Sequence, residues 1–210
     1  MHTLPNGLLI ALEGIDGTGK TTQLKMLAEA LLSMGYDVVA TREPTDGRYG
    51  QRIRQVLRDR SSVTSQEELE LFLLDRKEHV TTIINPGLAA GKIVLTDRYY
   101  LSTVAYQGAL GHNPDVILAL NEAFAPPPDL AIVLVAPPLK GIERIRILRQ
   151  ERPDSFEKEG YLVQVAAIFN NLPQGYIRRI DALAAKEEVH GEIMVHVEKV
   201  LGTRRKAIVK

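Results

Sequence analysis

The chain has 210 residues, enough for one full α/β domain and short for two. Its 26 Lys and Arg balance 26 Asp and Glu, leaving no net basic field to hold a nucleic acid polymer, and the absence of cysteine removes disulfides and thiolate metal sites. No apolar run reaches membrane length, residues 1–7 lack the build of a signal peptide, and the five histidines show no metal-ligand spacing, so composition fits a soluble, cytoplasmic enzyme.

The first apolar run, Leu8–Leu12, reads as a strand buried on both faces. It leads into Gly14-Ile15-Asp16-Gly17-Thr18-Gly19-Lys20-Thr21, which fits Gly-x-x-x-x-Gly-Lys-Ser/Thr. After Thr22, the residues Leu24, Leu27, Ala28 and Leu31 repeat at helical spacing until Gly35 closes the helix. Strand, glycine loop and helix together make a phosphate cradle. The glycines let successive backbone N–H groups face an anion, and the helix dipole adds to that field. Lys20 supplies a cation for the outer phosphates, and the Thr21 hydroxyl suits Mg²⁺. A flexible turn would match by chance; the flanking strand and helix point instead to nucleoside triphosphate binding.

Further apolar runs at Asp37–Thr41, Lys92–Thr96, Leu130–Val135 and Tyr176–Ile180 alternate with helical patterns. That order predicts an α/β fold of three layers, a five-stranded parallel sheet with helices on both faces, whose ligands lie beyond the carboxyl ends of the strands. The second strand leads into Arg42-Glu43-Pro44 and the third into Asp97-Arg98-Tyr99. Asp97, at a strand end beside a phosphate cradle, is placed to hold Mg²⁺ directly or through water; its other reading is a cap or turn former. Arg98 suits a bidentate phosphate contact, against the alternative of a solvated surface arginine. There is no internal repeat or linker, and Pro126-Pro127-Pro128 reads as a stiff lead-in to the fourth strand.

A helix is expected from about Gln66 to Ile84, with Leu69, Phe72, Leu73, Val80 and Ile83 as its apolar stripe. Arg76 interrupts that stripe. It either snorkels at the edge of a core or projects with Phe72 into a cleft, offering a base a stacking surface and a donor. Arg144, Arg146, Arg149 and Arg152 form the densest arginine cluster, readable as a solvated helix face or as a flap, about residues 140–158, closing over a transferring phosphate. The basic tail, residues 203–210, is expected to be disordered.

In combination these motifs resemble the thymidylate kinases among the P-loop nucleoside monophosphate kinases. The resemblance runs from about Leu8 to Leu201 and includes Phe72 with Asp75-Arg76, and Asp97-Arg98-Tyr99 continuing to Leu101-Ser102-Thr103 and Ala105-Tyr106-Gln107-Gly108. It implies a single kinase domain of P-loop NTPase fold over residues 1–210, transfer from ATP to dTMP with Mg²⁺, and a homodimer. By the same resemblance, residues 14–22 hold ATP and Asp16 accepts from the 3′-hydroxyl of dTMP. Phe72 stacks on thymine, Arg76 donates to a base oxygen, and Arg98 holds the acceptor phosphate. Thr103 and Gln107 meet the base edge, Tyr106 crowds the 2′ position, and Pro44 shapes the space around the methyl group. Catalysis falls to Lys20, Asp97, Arg98 and flap arginines, since the variable loop positions 15–18 carry no cation. Members commonly read Asp-Arg-Phe-Glu in the flap where this chain has Asp154-Ser155-Phe156-Glu157, so Arg149 and Arg152 are the expected flap cations. Two other readings stay open: a deoxynucleoside kinase with Glu43 as base, and a nucleotide-binding module without transferase activity.

Overall fold

The computed structural model describes residues 4–149 and 159–208, the side chains of 145–149, 159 and 205–208 excepted. Strands β1 (Leu8–Glu13), β2 (Val38–Arg42), β3 (Ile93–Asp97), β4 (Leu130–Val135) and β5 (Ile177–Asp181) form one parallel sheet in the order β2-β3-β1-β4-β5. Around it pack α1 (Lys20–Ser33), α2 (Arg48–Arg58), α3 (Ser65–His79), α4 (Asn85–Ala89), α5 (Tyr100–Gly108), α6 (Pro114–Glu122), α7 (Pro138–Arg149), α8 (Glu159–Asn171) and α9 (Lys186–Ile208). This is the expected three-layer α/β arrangement.

The uninterrupted apolar runs follow from two cores, one on each face of the sheet. Leu8, Ile10, Leu12, Ile132 and Leu134 point to Leu24, Leu27 and Leu31 of α1 and to Ile193 and Val197 of α9. The alternate residues Leu9, Ala11, Ala131 and Val133 point to Leu101 and Val104 of α5 and to Val165 and Phe169 of α8. A strand with helices on both sides has no polar face, so alternation vanishes from its sequence. Each such leucine, fully withdrawn from water, contributes about 1.5–3 kcal/mol before entropy is counted.

Register sets Leu12 and Arg42 directly beside Asp97. The carboxyl ends of β1, β2 and β3 are therefore flush, and the loops that follow them converge.

One expectation is sharpened and one is corrected. The helix predicted to reach Ile84 leaves α geometry at His79; Val80–Ile84 form a widened π turn before α4. Pro86 lacks an N–H and its ring crowds the carbonyl four residues back, so a regular α-helix cannot run through it. The C-terminal segment is not disordered throughout: α9 continues to Ile208, and Arg204 pairs with Asp129, which also accepts from the Leu9 backbone N–H. Pro126 to Pro128 do lead into β4, and the Pro126 carbonyl accepts from the Tyr99 hydroxyl at 3.1 Å.

Candidate active site

The phosphate loop joins β1 to α1 with Gly14, Gly17 and Gly19 all at positive φ. Gly17 shows why the motif demands glycine: φ is +79°, and a Cβ there would lie 2.3 Å from the Gly141 carbonyl oxygen at the start of α7. We expect Gly17→Ala to lower stability by about 1–3 kcal/mol and to weaken ATP binding at least about tenfold; thermal melts with and without ATP measure both. Among the described residues no side chain caps α1, so its first N–H groups face the loop interior. Thr18 Oγ1 donates to the Ile15 carbonyl at 2.9 Å and keeps the loop closed.

Lys20 Nζ donates to the carbonyls of Gly14 (3.1 Å) and Ile15 (2.8 Å). Burial pushes its pKa down to about 8, Arg98 adds to that, and Asp16, Asp97 and Glu13 pull partly back. A polyanion favours the charged form and raises this pKa, so binding takes up a proton above pH 8. ATP affinity is therefore expected to hold below about pH 8 and to fall, by at most about tenfold per unit, as pH rises above it. Calorimetric Kd values between pH 7 and 9.5 measure this, and a flat profile contradicts it.

Thr21 Oγ1 donates to Asp97 Oδ2 at 2.5 Å. A hydroxyl and a carboxylate of this kind are the hard oxygen donors that Mg²⁺ takes along with water and phosphate oxygens, so the pair fits that ion. Among the described residues no three acidic, histidine or cysteine side chains cluster as a metal site.

Arg98 is the first residue after β3 and adopts φ +71°, a conformation non-glycine residues avoid. Its backbone is over-determined: N–H donates to the Leu12 carbonyl at 2.8 Å, and its carbonyl accepts from Thr96 Oγ1 at 2.7 Å. That strain aims the guanidinium back over the loop, where Nη2 meets Asp16 Oδ1 at 2.7 Å and Nη1 meets Ser102 Oγ at 3.0 Å. The Tyr106 hydroxyl donates to Asp16 Oδ2 at 3.0 Å, and its ring lies 5.0 Å from the Arg98 carbon. Burial alone would lift the Asp16 carboxyl, but Arg98 and Lys20 outweigh it and hold it well below the usual carboxylate range.

Beyond Arg98 opens a cavity of about 380 Å³, of a size that suits a mononucleotide. All eight residues expected around dTMP line it. Asp16 and Arg98 stand at the phosphate loop; Pro44, Phe72 and Tyr106 contribute walls; Arg76, Thr103 and Gln107 contribute polar groups. Arg76 does not snorkel. It is 1% exposed, with Nη1 on Asn121 Oδ1 at 2.6 Å and Nη2 on Thr103 Oγ1 at 3.0 Å and on Glu43 Oε2. Its Nε–H has no partner among the described residues, and Thr103, having accepted from Arg76, still has its hydroxyl proton to give. Glu43 is held on its other oxygen by His79 Nδ1 at 2.9 Å.

Several contributors were missed. Glu13 ends β1 wholly buried and accepts from the N–H groups of Tyr99 (3.0 Å) and Ser102 (3.2 Å) and from Ser102 Oγ, fixing the turn that carries Arg98. Burial pushes its carboxyl up to about 7 against those hydrogen bonds and Arg98. Its signal was a lone charge closing an apolar strand. Arg54 and Arg58, four apart on α2, reach the cavity, and nothing in the sequence assigned them a role. In the arginine cluster, the Arg144 guanidinium donates to the Ala182 carbonyl at 3.0 Å. The Arg149 side chain and Arg152 lie outside the described residues.

This sheet order, with a lysine-bearing glycine loop after its first strand and an arginine-lined cavity beside it, is the architecture of a P-loop kinase. The thymidylate kinase family model matches residues 12–193, and the chain belongs to that family. Thymidylate kinase of Desulfotalea psychrophila is 54% identical over 93% of this chain and 96% of its own length. Those of Akkermansia muciniphila and Xanthomonas campestris are 47% and 46% identical, over 89% and 88% of this chain and 89% and 80% of theirs. The chain is thus a kinase of small-molecule substrates with ATP as phosphate donor. No described helix is long and apolar enough to cross a membrane.

Proposed function

We propose that the chain, as a single kinase domain, transfers the γ-phosphoryl group of ATP to dTMP, giving dTDP and ADP. The observation that carries this is the convergence of Asp16, Arg76, Arg98, Thr103 and Gln107 on one cavity that opens from the phosphate loop.

ATP lies with its phosphates in residues 14–22, and Lys20 leaves the Gly14 and Ile15 carbonyls for the outer phosphates. Thr21 and Asp97 would hold Mg²⁺, which would supply neutralisation of phosphate charge. The acceptor oxygen of dTMP is already anionic, so no base is needed and alignment dominates. Arg98 turns its fork to the acceptor phosphate, with Arg54 and Arg58 adding positive charge at the cavity. Asp16 takes the 3′-hydroxyl, Tyr106 closes the space a 2′-hydroxyl would need, and Phe72 stacks on the base. Arg76 and Thr103 donate to the base edge. Pro44 borders the methyl group, a contact worth only about 1–3 kcal/mol of selectivity over dUMP. Arg149 and Arg152 complete the charge over the transferring group from the flap, whose helix α7 begins against the loop at Gly141. The protein works in the cytoplasm as a homodimer, which sedimentation tests.

The deoxynucleoside kinase reading needs Glu43 as a free base. Both its oxygens are engaged, and Arg76 and His79 outweigh burial to hold its pKa below the usual value, which makes it a poor base. A coupled ADP-release assay over nucleoside monophosphates and thymidine tests the proposal. Turnover with dTMP and not thymidine is expected; thymidine as the better acceptor refutes it, as does ATP hydrolysis indifferent to any monophosphate.

A further inference from the structure

We infer that Glu68 is a positioning residue for base selection: it fixes the Gln107 amide so that Gln107 meets the base only as a hydrogen-bond acceptor. The inference rests on reading the 380 Å³ cavity as the dTMP site.

Gln107 is wholly buried and lines that cavity. Its Nε2 donates to Glu68 Oε1 at 2.7 Å, while its own Oε1 has no hydrogen-bond partner among the described residues. Glu68 is itself 3% exposed and accepts from Arg60 Nη2 at 3.0 Å on the same oxygen. A carboxylate paired with an arginine can only accept, so it decides which end of the amide faces it. Turning the amide round would set two buried oxygens against each other. The unpartnered Oε1 is therefore an acceptor by construction, waiting for a donor.

Thr103, one turn before Gln107 on α5, and Arg76, which donates to it, line the same cavity and retain protons to donate. A donor beside an acceptor matches a pyrimidine with a carbonyl at position 4 and an N–H at position 3. Cytosine reverses both, with an amino group at 4 and a bare nitrogen at 3. Glu68 and Arg76 sit on one face of α3, so a single helix carries the base-edge donor and the group that sets the polarity of its neighbour.

The test compares kcat/KM for dTMP with that for 5-methyl-dCMP, which differs only at ring positions 3 and 4. The wild type should favour dTMP by about 10³-fold or more. E68Q presents either a donor or an acceptor to Gln107, so the ratio should fall at least about tenfold, with a smaller loss on dTMP itself. The exchanged pair E68Q/Q107E restores an obligatory acceptor at position 107 and should bring the ratio back to within about threefold of wild type. An unchanged ratio in E68Q, or a ratio that stays low in the exchanged pair, overturns the inference; a merely structural Glu68 would depress both substrates alike. Should E68Q fail to fold, a crystal structure of the wild type with dTMP decides: N3 and Glu68 both within about 3.2 Å of Gln107 support it, and Gln107 away from N3 overturns it. A wild type inactive on dTMP fails the functional reading itself, a result separate from any change in ratio.

Discussion

Replacing Arg98 by alanine is expected to lower kcat with dTMP by about 10³-fold or more, roughly 4 kcal/mol of transition-state stabilisation. The expectation comes from its position. Arg98 is held in a strained backbone conformation by Leu12 and Thr96, and its guanidinium stands between the phosphate loop and the 380 Å³ cavity. In the proposed reaction two anions meet there, and this fork relieves part of their repulsion while aligning the acceptor. Arg98→Lys should recover little, since an ammonium cannot reproduce two parallel donors. Arg52→Ala, on the exposed side of α2, should leave the rate unchanged. A loss below tenfold in Arg98→Ala, read by coupled ADP release, contradicts the role.

Arg76→Ala should damage both folding and activity. Glu43 would stay buried with only His79 beside it, and breaking a buried pair in this way costs about 3–5 kcal/mol, or roughly 10 °C in Tm. Asn121 Oδ1 would lose its donor as well. Calorimetry measures the fall in Tm, and kcat/KM for dTMP should drop about 100-fold or more while ATP still binds. Replacing both partners, Arg76→Met with Glu43→Leu, should recover part of the stability and none of the activity, separating the two losses. The pH dependence has a definite sign. The folded pKa of Glu43 lies below its ordinary 4.5, so its contribution is present above that value and is lost as pH falls through the folded one. Without Arg76 that loss should begin at higher pH, seen as an earlier acid-unfolding midpoint.

How much was legible in the sequence depended on how far apart the interacting residues stand. The strands were readable because each apolar run serves two cores at once, a property of five or six consecutive residues. The phosphate loop was readable for a similar reason: glycines, a lysine and a helix start within eight positions define the geometry of an anion nest. The helical run through Ile84 was readable from its periodicity, which does not register the π turn at Val80–Ile84. Arg76 was the instructive case. Its place in an apolar stripe showed which face it occupied but not whether that face met solvent, core or cleft.

The sequence by itself therefore determined the sheet, the nucleotide cradle and the family. Tertiary structure alone decided which side chains complete one another: Glu13 with Ser102, Arg76 with Glu43 and Asn121, Glu68 with Gln107. These partners are separated by long stretches of chain, and no local pattern couples them. A buried polar group must find its complement wherever packing places one, so its orientation, and with it the selectivity of the cavity, exists only once the helices have closed around the sheet.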